Sequence, residues 1–175
     1  MPSKTFYLEH LNTPIGALCI VTDKDGTLRA VDWVDQEPRM RTLLRCQYQP
    51  TGIVIAAARH TTPARDALEA YFNGDIAAIA GLRTATGGTD FQRTVWAALR
   101  GIPAGQTISY GTLASRIGRP KSARAVGLAN GSNPISIVIP CHRVIGANAS
   151  LTGYGGGIAR KRWLLDHESR AAGAP

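Results

Sequence analysis

The chain has 175 residues, 44% of them apolar, 18% charged and only 6% aromatic, which suffices for one ordinary domain or two small ones and excludes a disordered chain. No apolar run approaches the roughly 18 residues needed to span a bilayer; the longest, Ile53 to Ala58, is strand-sized. The start, MPSKTFYLEH, lacks a basic segment followed by an apolar stretch, so the expectation is a cytoplasmic protein with no membrane partner.

The net charge is +8, from 20 Lys and Arg against 12 Asp and Glu. Residues 1–90 hold 9 basic and 10 acidic side chains, whereas residues 91–175 hold 11 basic and 2 acidic. Like charges at that density repel unless a polyanion neutralises them, so nucleic acid is the first partner to consider for the second half. Three cysteines, Cys19, Cys46 and Cys141, are odd in number and far apart, which argues for reduced thiols. Neither a C-x-x-C nor a Cys/His cluster at metal-ligand spacing occurs, and the expectation is no metal.

In chain order, alternating patterns predict strands at Thr5–His10, Leu18–Thr22 and Leu28–Val34, separated by Asn12-Thr13-Pro14 and Asp23-Lys24-Asp25-Gly26, as an antiparallel meander. Helical spacing predicts helices over Arg39–Tyr48 and Pro63–Phe72, the latter stopped by Asn73-Gly74. The Gly/Thr stretch TATGGT at 84–89 coincides with the change in charge balance and divides a domain at 1–86 from one at 87–175. A capping box, Thr89-x-x-Gln92, opens a helix that ends at Gly101-Ile102-Pro103. Two further helical patterns, Tyr110–Ile117 and Ser122–Asn130, flank Gly118-Arg119-Pro120-Lys121, the spacing of a helix-turn-helix. The second helix is basic at its start and lined by small residues. Such residues let a helix approach a minor groove only about 6 Å wide, or equally let it pack closely in a core.

Residues 135–145, ISIVIPCHRVI, read as a buried strand interrupted by Cys, His and Arg, whose burial costs several kcal/mol unless satisfied. Cys19 and Cys46 read as inert small hydrophobes. Cys141 differs, because an adjacent imidazole and a cationic domain lower a thiol pKa. An activated cysteine also needs a group to orient its imidazole, and residues 91–175 contain only two carboxylates, Asp166 and Glu168.

Pro140-Cys141-His142-Arg143-Val144 resembles the signature of the O6-alkylguanine-DNA alkyltransferases. Phe91-Gln92 with Val95-Trp96, Ile102-Pro103-x-Gly105, Tyr110-Gly111-x-Leu113-Ala114, Ala123 to Gly127, Asn130 to Pro134, Thr152-Gly153-Tyr154 and Lys161-x-Trp163-Leu164-Leu165-x-His167-Glu168 follow in the family's order. Thr13-Pro14-Ile15-Gly16 and Pro63-x5-Glu69-x-Tyr71-Phe72 extend the resemblance to the first half. It implies an α/β (α+β) fold: a small antiparallel sheet with helices, RNase H-like, then a mostly helical, winged-helix-like domain with a helix-turn-helix. It also implies transfer of the alkyl group of O6-alkylguanine, and of O4-alkylthymine, to Cys141 after the base is flipped from duplex DNA. His142 would deprotonate Cys141 through water, Glu168 would polarise His142, Asn133 would hold the turn, and Tyr110 would donate to the leaving base. Arg124 would replace the flipped base, with Arg119, Lys121, Ser122, Ala123, Ala125, Gly127 and Asn130 also at the minor groove. Val144, Tyr154, Gly155, Gly156 and Lys161 would line the base pocket, read by backbone groups of Cys141, Val144 and Gly155.

The product thioether neither hydrolyses nor exchanges, and no cofactor motif is present to remove the alkyl group. Each chain should therefore act once, without a cofactor, as a monomer binding double-stranded DNA alone or cooperatively. Some members hold zinc in the first domain, but Cys19 and Cys46 do not match that pattern. Gly155-Gly156-Gly157 is richer in glycine than in many members and predicts a looser wall tolerant of bulky adducts. A helix-turn-helix module without chemistry and a Cys-His-Glu hydrolase are the competing readings; the first lacks a reactive cysteine and the second leaves the charge unexplained. Residues 171–175 are expected to be disordered.

Overall fold

A computed structural model describes residues 2–173. The chain divides into two compact units, residues 1–88 and 89–175, and among the described residues no helix is long and apolar enough to cross a membrane.

In the first unit β1 (Lys4–Thr13), β2 (Gly16–Thr22) and β3 (Leu28–Trp33) form antiparallel pairs. Thr13 and Gly16 close the first hairpin; Gly16 is needed there because its φ of 122° lies where side chains are strained. The sheet is not wholly antiparallel as expected. The run at Ile53 is a fourth strand, β4 (Ile53–Ala57), which joins the edge parallel to β1, giving the order β3-β2-β1-β4. A parallel partner requires a crossover, and helix α1 (Glu37–Gln47) supplies it. That helix begins two residues earlier than periodicity predicts because Pro38 fits the first turn.

One sheet face buries Phe6, Cys19, Val21 and Ala30 against Met40, Leu44 and Tyr48. Met40 and Leu44 stand one turn apart and face the sheet. Cys46, two residues past Leu44, points the opposite way and is exposed, contrary to its reading as a core hydrophobe. Helix α2 (Pro63–Phe72) has the predicted bounds: Thr62 accepts from Arg65 N at 3.3 Å, Pro63 occupies the first turn, and Gly74 follows at φ 108°.

The second unit opens with α3 (Asp90–Arg100), where both bonds of the predicted capping box are present: Gln92 N to Thr89 Oγ1 at 3.1 Å and Thr89 N to Gln92 Oε1 at 2.9 Å. Strand β5 (Ile108–Ser109) runs directly into α4 (Tyr110–Arg116). That helix stops in a Schellman arrangement: Gly118 takes φ 73°, Gly118 N donates to Ser115 O at 3.0 Å and Arg119 N to Ala114 O at 2.9 Å. After the turn comes α5 (Ala123–Gly131), anchored to α3 by the Trp96 indole N–H donating to Ala129 O at 2.8 Å.

Residues 135–140 are not the expected strand. They form consecutive turns leading into a 3-10 turn at Cys141–Arg143 and a two-residue strand, β6 (Val144–Ile145). A strand would need a ladder partner along its length, whereas here the Asn133 side chain binds the backbone locally and curls it. Helix α6 (Ile158–Ala171) follows, with Gly157 at φ 95° as its amino-terminal cap. Its buried stripe, Lys161, Leu164 and Glu168, places two charged residues in the interior. Ala171 closes this helix, and Gly173 N bonds back to Arg170 O at 3.1 Å, so the expected disordered tail does not include 171–173; residues 174–175 lie outside those described.

Candidate active site

The loop that presents Cys141 is organised from beneath by one side chain. Asn133, 1% exposed, accepts from Ile135 N at 3.0 Å and donates through Nδ2 to Ile139 O at 2.8 Å and Ile135 O at 3.4 Å. These bonds hold Ile137 at φ 73°, a conformation a β-branched residue adopts only under constraint. Cys141 N then donates to Ile139 O at 2.8 Å and Arg143 N to Pro140 O at 3.0 Å, a tight turn that carries three consecutive functional side chains. All three are buried.

His142 points inward to α6, where its Nε2 lies 2.7 Å from Glu168 Oε1. Arg143 grips the same carboxylate in a bidentate pair, Nε to Oε2 and Nη2 to Oε1 at 2.9 Å each, and donates a third bond to Ile102 O at 2.6 Å. Burial alone would raise the Glu168 pKa, but the bonds from His142 and Arg143 outweigh it and hold the carboxyl well below the usual carboxylate range. Burial also dominates at His142 and lowers its pKa; Glu168 opposes that, while Arg143 and Lys161 reinforce it. The imidazole is therefore neutral near pH 7. With an ionised acceptor on Nε2, the proton sits there and Nδ1 carries the lone pair. Nδ1 is buried and makes no hydrogen bond in the structure, which leaves a base beside the thiol-bearing residue.

Both shifts destabilise the fold in acid. The unfolded chain protonates His142 below about pH 6.5 and Glu168 below about pH 4.3, whereas the folded protein resists both. The unfolded state thus binds more protons. Stability is expected to be flat above about pH 7, to fall from about pH 6.5 downward and to fall more steeply below about pH 4.5, as thermal unfolding against pH would measure.

Parallel pairing of β5 with β6, Ile108 with Val144 and Ser109 with Ile145, sets the end of β5 beside the strand that follows the cysteine turn, and Tyr110 is the next residue, the first of α4. The edge of the Tyr110 ring lies over α5, 3.8 Å from where a side chain at Gly127 would begin. Of the expected DNA contacts, Arg119, Lys121, Arg124 and Ala125 are exposed, and Ser122, Ala123 and Gly127 half-buried. Asn130 is not: it is buried and donates through Nδ2 to Cys141 O at 3.4 Å, behind the cysteine. Lys161, expected in the base pocket, is fully buried, and its Nζ donates to Val144 O at 2.6 Å and Thr152 O at 2.8 Å, tying the cysteine turn to the following loop. Burial lowers its pKa, and its interaction with Cys141 works the other way. Val144 is buried, and Tyr154, Gly155 and Gly156 are half-buried. Gly157 N donates to Tyr154 O at 2.9 Å, closing a turn over Gly155 and Gly156.

Arg143 is the site residue that sequence reasoning missed. Its only signal was a third polar residue in an otherwise apolar buried run. Around Cys141 the described residues assemble no trio of metal-ligand side chains.

Residues 90–170 match the family described as 6-O-methylguanine DNA methyltransferase, DNA binding domain. A methylated-DNA–protein-cysteine methyltransferase of Salmonella typhimurium is 54% identical over 160 residues, 91% of this chain and 94% of the relative. The crystal structure of Mycobacterium tuberculosis OGT in complex with DNA superposes with a TM-score of 0.74 at 41% identity, covering 95% of this chain and 94% of that one. The Pyrococcus kodakaraensis O6-methylguanine-DNA methyltransferase shares the fold, with a TM-score of 0.66 at 22% identity. A buried cysteine beside a base-forming imidazole, in a unit of this fold, is the arrangement of a protein that accepts a group onto sulfur. The chain belongs to the O6-alkylguanine-DNA alkyltransferase family, and its enzyme class is that of the methylated-DNA–protein-cysteine methyltransferases.

Proposed function

We propose that the protein repairs DNA by moving the alkyl group of O6-alkylguanine, and of O4-alkylthymine, from a flipped base in duplex DNA to Sγ of Cys141, once per molecule. The observation that carries this reading is the neutral His142, whose unpartnered Nδ1 is oriented by Glu168 and Arg143. His142 takes the Cys141 proton through a water molecule. The thiolate attacks the alkyl carbon in line, the carbon–sulfur bond forms as the carbon–oxygen bond breaks, and the electron pair leaves on the base. Tyr110 gives its proton to the departing base, which leaves neutral; the proton that Cys141 gave up passes from His142 back to water, and Tyr110 takes a proton from solvent in its place. Extrusion is required because the alkyl carbon is otherwise out of reach of a protein sulfur.

DNA lies along the exposed stripe of α5, with α4, the turn and α5 acting as a helix-turn-helix against the minor groove of double-stranded DNA, in a mostly helical, winged-helix-like domain. Support comes from that stripe itself: Lys121 is exposed just before α5, and Arg124 and Ala125 are exposed one helical turn from Leu128, which at 70% is the most exposed large hydrophobic side chain among the described residues. Cations followed by an apolar wedge suit a groove whose bases are being unstacked. Arg124 fills the vacated place in the stack, and the first unit is structural support. The protein works as a monomer in the reducing cytoplasm, where Cys141 stays a thiol.

With duplex DNA carrying radiolabelled O6-methylguanine, label should move to Cys141 in at most one equivalent, and a Cys141→Ala variant should bind DNA and take up none. Label released to water, or retained on DNA, overturns the proposal. Arg124→Ala should slow transfer on duplex DNA by roughly 10- to 100-fold, since unstacking costs a few kcal/mol, but leave transfer from a free alkylated base unchanged. Affinity for DNA should drop steeply with salt, and Arg119→Ala or Lys121→Ala should each lower the log–log salt slope by about 1.

A further inference from the structure

The register of the first sheet sets His10, Cys19 and Asp32 directly opposite one another on three adjacent strands, β1, β2 and β3. Residues opposite one another in register point to the same face, so the three form one polar row at the end of the apolar face. Glu37, in the first turn of α1, closes over it: Cys19 Sγ is 3.7 Å from Glu37 Oε2. One ligand atom from each of His10, Cys19 and Glu37 lies within 4.8 Å of the others. Regular tetrahedral zinc coordination has ligand–ligand edges of roughly 3.5 Å, a contraction that an exposed imidazole and a half-buried carboxylate can make by small rotations.

We propose that His10, Cys19 and Glu37 form a binding site for a borderline-soft divalent cation of the zinc class, with a fourth position open to solvent.

The remaining charges are arranged as such a site requires. Arg41 holds Glu37 Oε1 with Nε at 2.8 Å and leaves Oε2 turned to the sulfur. Asp32 is fully engaged elsewhere, its Oδ2 with Arg39 at 2.6 Å and its Oδ1 with Trp33 N at 2.9 Å, so it adds negative potential without being a ligand. On binding, the sulfur–metal bond replaces the sulfur–hydrogen bond and the proton passes to solvent, so affinity weakens as pH falls. Imidazole, thiolate and carboxylate together favour zinc over magnesium or calcium. The sequence expectation of no metal rested on spacing; separations of 9 and 18 residues form no motif, and only strand register unites them.

The test uses the chelator-treated full chain titrated with Co2+ at neutral pH. One Co2+ should bind per chain with a sulfur-to-cobalt charge-transfer absorption, and Zn2+ should displace it and raise the unfolding temperature. The absorption should vanish in Cys19→Ser and persist in Cys141→Ala. His10→Ala alters an exposed residue and keeps the fold, and it should weaken binding at least roughly tenfold; Arg41→Ala, loosening Glu37, should weaken it by a similar factor. Absence of the absorption, its loss in Cys141→Ala, or undiminished affinity in His10→Ala overturns the site.

Discussion

Glu168→Gln should fold, bind duplex DNA and transfer alkyl groups slower by on the order of 10^3-fold. The carboxylate accepts from His142 Nε2 and twice from Arg143. A carboxamide of the same shape offers one acceptor oxygen and one donor amide. Arg143 meets both oxygens and supplies only donors, so the amide opposes one of its bonds in either orientation; at the Oε1 position it also faces His142 Nε2. The imidazole then accepts on Nε2 and carries its proton on Nδ1, the wrong tautomer for a base; such an exchange costs about 10^4 where it has been measured in an imidazole–carboxylate pair. Glu168→Ala should fail differently. It strands the buried Arg143 guanidinium, a loss of about 3–5 kcal/mol when one partner of a buried ion pair is removed, visible as a drop in unfolding temperature. Single-turnover transfer and thermal unfolding separate the two variants; a Glu168→Gln rate within tenfold of the parent protein would sink the proposed tautomer.

Asn133→Ala should destabilise the second unit by about 3–5 kcal/mol and abolish transfer. It leaves Ile135 N and Ile139 O, both interior, without their partner, at about 1–3 kcal/mol for each buried group, and it frees Ile137 from the φ of 73° that the bonds enforce. Asn133→Asp tests the same point chemically. It keeps the acceptor for Ile135 N but sets a carboxylate against Ile139 O, so it should not rescue. Hydrogen exchange should show loss of protection at residues 135–141 with α3 still protected. Full activity in Asn133→Ala would mean that Cys141 is positioned by the helices alone.

Much of the site was legible because its chemistry is contiguous: a thiol, an imidazole and a guanidinium in successive residues, with only two carboxylates available to serve them. Asn133 resembled a turn former and proved to be one. Arg143 was invisible as a clamp because a sequence records its neighbours along the chain, and its partners Glu168 and Ile102 O lie 25 and 41 residues away. The burial of Asn130 and Lys161 was hidden for a related reason. Both are polar residues near the motif, and polarity alone does not say whether a side chain faces solvent or satisfies buried carbonyls.

Composition and periodicity by themselves determined the local elements with strong signals: the capping box of α3, the bounds of α2, the glycine that ends α4 and the cationic character of the second half. These depend on interactions within a few residues, where backbone geometry and capping chemistry suffice. The tertiary structure alone decided what depends on pairing between distant segments. β4 lies parallel to β1 because α1 crosses over the sheet. Residues 135–140 turn because a buried amide competes for their backbone. His142 is buried and neutral against a carboxylate from a distant helix, which Arg143 also binds, and in that interior the bonds to Glu168 outweigh the cost of burying its charge.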